Sequence, residues 1–205
     1  MKKVDLQNIC KYEGIPLGGK KTDLAQKMMM HVKNLDECTE EASKGVYTPS
    51  KYFEGLSPKQ AEKRLREIRA RAKDADSTNY KPFTTDFENG KRVPTKQSPY
   101  VSSFIEKFGS ISSLEDKALA SGIPLDVLER VWNKGMAAWR GGHRPGASQK
   151  QWASARVASF IMKGCTFYFP DHLLVAEAME RSKEAKKHWD SITCMCQKGC
   201  QRGKK

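Results

Sequence analysis

The sequence of 205 residues predicts a mainly α protein, with a small helical hairpin, a basic and partly irregular connector, and a compact multi-helix domain. Three observations carry this expectation. Apolar residues recur at helical spacing, as in Leu125, Leu128, Val131 and Trp132. Helix-start signals precede such stripes, with Ser57 before Pro58 and Ser148 before the stripe of Trp152. Glycines close them, at Gly14, Gly122 and Gly141-Gly142.

The elements follow in order. Residues 4–13 and 21–35 read as two short helices around a Gly/Pro turn, and residues 1–35 form the first module. Leu6, Ile9 and Cys10 share one helical face, and Leu24 and Met28 share another. Residues 36–56 are a linker, acidic and then polar. Residues 57–98 are the basic connector. Its helix starts at the Ser57 cap and runs to about Lys73, carrying Lys63, Arg64, Arg66, Arg69 and Arg71. Residues 74–98, with Pro82, Gly90 and Pro94, have no clear period and read as an extended loop or partly disordered segment.

Residues 99–190 form the helical domain. The first helix, Pro99–Phe108, places Val101, Phe104, Ile105 and Phe108 on one face. Ser112 or Ser113 caps a second that ends at Gly122. Pro124 begins a third, broken at Gly141-Gly142. Ser148 caps a fourth with Trp152, Ala155, Val157, Phe160 and Ile161. Cys165–Phe169 is a turn or one small strand. Pro170 or Asp171 opens a last helix through about Trp189, and residues 191–205 are a basic, Cys-rich tail.

The net charge is +13 with a pI near 9.5, which draws a protein to polyanions. The surplus is uneven, and residues 51–100 carry twelve Lys/Arg against seven Asp/Glu. No run reaches the ~20 apolar residues of a membrane span. The polar start lacks a signal-peptide core, so the expected setting is not secreted and keeps the thiols reduced.

In the first module, Gly19, Lys20 and Lys21 stand where the second helix begins. A helix start offers free N–H groups and partial positive charge to a phosphate, and the lysines add full charges there. The frame Leu6…Gly14-Ile15-Pro16…Gly19-Lys20-Lys21…Leu24 resembles the SAP module over residues 4–32. That resemblance implies a DNA-binding helical hairpin, with backbone contact by Gly19, Lys20, Lys21 and Lys27.

In the larger domain, Trp139 and Trp152 bracket a tight loop, Gly141-Gly142-His143-Arg144-Pro145-Gly146-Ala147, that displays His143 and Arg144. Both indoles are expected to be largely buried. The small residues Gly135, Ala137, Ala138, Ala153 and Ala155 allow close helix approach. Lys134, Arg140, His143, Arg144 and Arg156 can either line a phosphate pocket or structure the loop, and both readings stay open. A nuclease role has less support, since no carboxylate cluster spaced for Mg²⁺ is evident. The signature Gly-His-Arg-Pro-Gly-Ala…Gln-Trp…Ala-Arg-Val…Ser-Phe, with Tyr47-Thr48-Pro49, resembles a family of uncharacterised proteins of large DNA viruses and tailed phages, over roughly residues 46–175. The resemblance implies a viral origin and no particular activity.

His188, Cys194, Cys196 and Cys200 could just supply four zinc ligands. Cys-x-Cys is a poor chelate spacing, however, so the expectation is no metal, no cofactor and a basic tail with oxidisable thiols. The function expected is non-catalytic DNA binding in the virion or in genome handling, inside the host cytoplasm or nucleus. The alternatives are a structural or scaffold virion protein that binds capsid components, and a nucleic-acid-processing enzyme. No membrane or small-molecule partner is expected.

Overall fold

The structure is a computed structural model that describes residues 48–74 and 80–196. The SAP-like module of residues 1–35 lies outside the described residues. The described chain is mainly helical and divides into two compact units: residues 48–74 with 83–92, and residues 80–82 with 93–196.

The first unit is built on helix α1, Pro58–Lys73. Its start follows the local chemistry of the sequence. Pro58 occupies the first turn, the Ser57 hydroxyl accepts from the Gln60 N–H, and Gln60 Oε1 accepts from the Ser57 N–H at 2.9 Å. The inner face buries Arg64, Leu65 and Ile68. A 3-10 turn, Thr84–Asp86, leads into a hairpin of β1, Phe87–Glu88, and β2, Lys91–Arg92. Phe87 pairs with Arg92 and Glu88 with Lys91. Asn89 and Gly90 both take positive φ, 49° and 76°, the geometry of a two-residue turn whose twist matches the strands. This corrects the irregular reading at residues 84–92, while residues 80–83 and 93–98 have no regular element. The strands are two residues long and exposed, so they show no alternation, and the hairpin signal was the Asn-Gly pair alone.

The second unit contains α2 (Pro99–Phe108), α3 (Leu114–Ser121), α4 (Leu125–Gly141), α5 (Gln149–Ile161), α6 (Cys165–Tyr168), α7 (His172–Arg181) and α8 (Lys183–Ser191). Ser113 caps α3, and Ser148 with Gln151 forms a full capping box on α5. Sixteen buried residues form its core, among them Phe104, Leu128, Val131, Val157, Phe160 and Trp189. Helices α4 and α5 approach closely at Gly135, where an added Cβ would sit 2.7 Å from Ala153 Cα.

Three expectations change here. Cys165–Tyr168, expected as a turn or a small strand, is a single turn of helix. The expected single helix to Trp189 breaks at Ser182, which is extended with φ −137° and ψ 118°. The Ser182 hydroxyl accepts from Ala185 N–H at 3.1 Å and donates to Gly122 O at 2.7 Å, so a contact distant in sequence starts α8. Cys196 is buried in a disulfide with Cys165, where the sequence reading has reduced tail thiols. Met195 N–H donates to Lys163 O at 3.1 Å, and the Lys163 ammonium donates to the carbonyls of Trp189 and Ile192. These bonds strap residues 192–196 onto the turn after α5.

Candidate nucleic-acid interface

The exposed face of α1 carries Lys59, Lys63, Arg66 and Lys73. Their spacing of 4, 3 and 7 residues keeps all four on one side of the helix, over about 21 Å of rise. Glu62 flanks the stripe and pairs with Arg66. Arg64 and Arg71, also expected on this helix, do different work. Arg64 is fully buried and donates to Asp86 Oδ1 and Thr85 Oγ1, each at 2.9 Å. Burial pulls its guanidinium below the ordinary value, and Asp86 opposes that shift. The guanidinium groups of Arg64 and Arg71 each lie 4.3 Å from the Phe83 ring centroid. Asp86 Oδ2 also accepts from Phe83 N–H at 2.9 Å, and Glu67 accepts from Thr84 N–H at 3.0 Å and its hydroxyl at 2.7 Å. The hairpin is therefore anchored to the same helix that carries the lysine stripe.

The hairpin presents Lys91 and Arg92 to solvent, and Arg92 lies 4.9 Å over the ring of Phe87. Phe87 is 38% exposed, unlike Phe83, which is buried. Across the described parts of this unit, ten Lys/Arg face six Asp/Glu, and two of the acids, Asp86 and Glu67, point at the 3-10 turn.

The residues proposed from sequence fall differently. Gly19, Lys20, Lys21 and Lys27 lie outside the described residues. His143 is buried, contrary to its expected display: its ring stacks on Trp139 at 4.2 Å, and Nδ1 donates to Trp139 O at 2.9 Å. Trp139 Nε1 donates to Ala147 O at 2.8 Å, closing the loop from inside. Trp139 is buried as expected, while Trp152 is only half-buried. Arg144 donates to Lys96 O at 3.2 Å. Gly146, at φ +74°, passes so close to Val93 that a Cβ would meet its carbonyl oxygen at 2.0 Å.

Arg156 does not turn back to that loop. It grips buried Asp171 with two bonds of 2.9 Å, and Lys134 joins the same carboxylate at 3.0 Å. Arg140 is half-buried and has interactions of its own. Four of the five residues are thus spread over an indole–imidazole stack, a loop carbonyl and an ion triad. Asp171 and Asp86, which organise two of the arginines, were not singled out from sequence because each meets its partner only in three dimensions. Asp126 of α4 and Glu177 of α7 are also engaged. Arg181 chelates Asp126 at 2.7 and 2.8 Å, Arg130 chelates Glu177 at 2.7 and 2.8 Å, and these hydrogen bonds hold both carboxyls below their ordinary range.

Among the described residues, no group of three or more His, Cys, Asp or Glu is placed to hold a metal ion. No described helix is long and apolar enough to cross a membrane. Fold and surface define a mainly helical protein whose first unit presents a cationic helix and hairpin. The chain belongs to the family of unknown function DUF5824, which matches residues 49–174 and so covers α1, the hairpin and the loop of Trp139. No curated protein and no solved structure matches the chain.

Proposed function

We propose that this is a non-catalytic DNA-binding protein of viral origin that serves the virion or genome handling. The observation that carries the reading is the stripe of Lys59, Lys63, Arg66 and Lys73 along one exposed face of α1. Such a row neutralises phosphates and releases their counterions, a binding mode that needs no base contact. The SAP-like frame of residues 4–32 supports a second contact, through Gly19, Lys20, Lys21 and Lys27. The Cys165–Cys196 disulfide supports a particle-associated life, because disulfides persist at virion surfaces and are rare in reducing cytosol.

The test is a salt titration of duplex binding by the full chain. Each lost phosphate contact lowers the slope of log K against log salt by about 0.9. The variant Lys59→Ala/Lys63→Ala/Lys73→Ala is expected to lower it by about 2.7, and Lys20→Ala/Lys21→Ala by about 1.8. Unchanged affinity and slope in both variants overturns the reading and leaves the capsid-binding scaffold role in its place.

A further inference from the structure

We infer that the β1–β2 hairpin is a stacking platform for an unpaired base, so that the first unit favours single-stranded over duplex nucleic acid. This deepens the function proposed above and rests on it. The backbone sets up the platform. Asp86 is buried and tied to Arg64 and to Phe83 N–H, which fixes the chain one residue before the hairpin. Asp86 ends the 3-10 turn fully buried, and the backbone becomes extended at Phe87, which is 38% exposed. Phe87 and Arg92 are direct cross-strand partners and share a face of the ladder.

The same chemical pair, a phenylalanine beside an arginine, occurs twice in this unit with opposite fates. Phe83 is buried beneath Arg64 and Arg71, where it serves the fold. Phe87 stands 38% exposed beside Arg92. Lys91 pairs with Glu88 on the other face of the ribbon, and the supporting helix carries the lysine stripe. An apolar protein surface would gain little from a ring that already carries a guanidinium over it. A nucleobase brings a π face for the ring and a phosphate for Arg92, and cation–π contact with arginine adds to base–aromatic stacking. In a duplex that face is already stacked on its neighbours, so the ring contributes only where bases are unpaired.

The experiment measures full-length protein against a mixed-sequence single strand and the blunt duplex of the same sequence, by anisotropy across a salt series. Phe87→Ala is expected to weaken single-strand binding by about 5- to 150-fold, the range for loss of one stacked base. Duplex affinity and both salt slopes should stay at wild-type values, because the ring carries no charge. Phe87→Trp should restore single-strand binding. Arg92→Ala should lower the single-strand slope by about 0.7. Thermal melting of each variant confirms that the fold is kept, as expected for a partly exposed side chain. If Phe87→Ala leaves single-strand affinity unchanged, or weakens both substrates equally, the platform is refuted while DNA binding stands. If wild type binds neither substrate at any salt, both readings fall together.

Discussion

The two units are held together by different physics. The second has an apolar core of sixteen buried residues and a disulfide. The first buries only Tyr52, Leu65, Ile68 and Phe83 as apolar side chains among its described residues, and places a fully buried Arg64–Asp86 pair beside them. It uses directional bonds, which fix a hairpin accurately but concentrate the risk in a few atoms. The basic chain therefore divides its arginines. Arg64 and Arg156 secure buried aspartates, whereas Arg66 and Arg92 face solvent.

The largest expected effects test whether each unit rests on its own anchor. In the second unit, Trp139→Ala removes a buried indole, its bond to Ala147 and the stack that holds His143. A loss of about 3–5 kcal/mol is expected, visible as a lower midpoint in urea unfolding. Trp152→Ala should cost clearly less, because that indole is half-buried. Equal costs would show that burial does not rank the two.

In the first unit, Arg64→Ala leaves Asp86 charged and buried without its main partner. Breaking such a pair costs about 3–5 kcal/mol. Hydrogen exchange should show lost protection in α1 and the hairpin, with the core of α4 and α5 unchanged. Protection retained at Phe83 and Asp86 would mean that the pair is dispensable.

Somewhat smaller is the contribution of the disulfide. Cys165 and Cys196 close a loop with a sequence separation of 31, for which chain entropy gives about 3–4 kcal/mol. Cys196→Ser, or reduction of the wild type, should lower the melting temperature of the second unit and free the strap to proteolysis near Met195. A melting temperature insensitive to reductant would show that the apolar core suffices.

The smallest effect is a pH dependence. Burial holds the His188 imidazole below its ordinary value of 6.5, aided by the charges of Lys107 and Lys163, while its bond to Ile161 O opposes the shift. The unfolded chain then binds the proton more readily than the native one. This stability is fully present above about pH 6.5 and declines as pH falls below it, until the folded group also protonates. Urea midpoints should therefore drop between pH 7.5 and 5.5, and His188→Gln should flatten the change. The carboxyls of Asp126 and Glu177 are depressed, so their losses begin only at lower pH. A drop of the same size in His188→Gln would assign it to another group.

What the sequence determined by itself is whatever local chemistry decides. The Ser57–Gln60 and Ser148–Gln151 boxes, Pro99 at a first turn, and Gly122 in a left-handed cap act within four residues, and the helices they bound were legible from the chain. The close approach at Gly135 was legible too, because a missing Cβ reads the same in sequence and in space. Tertiary structure alone decided the rest. Ser182 breaks a helical run because Gly122 O lies within reach of its hydroxyl. His143 turns inward because Trp139 offers both a face and a carbonyl. Arg156 faces Asp171 across 15 residues, Arg64 faces Asp86 across 22, and Cys165 meets Cys196 across 31. A charged or thiol side chain carries no local mark of its partner; only the packing of the helices brings the two within bonding distance.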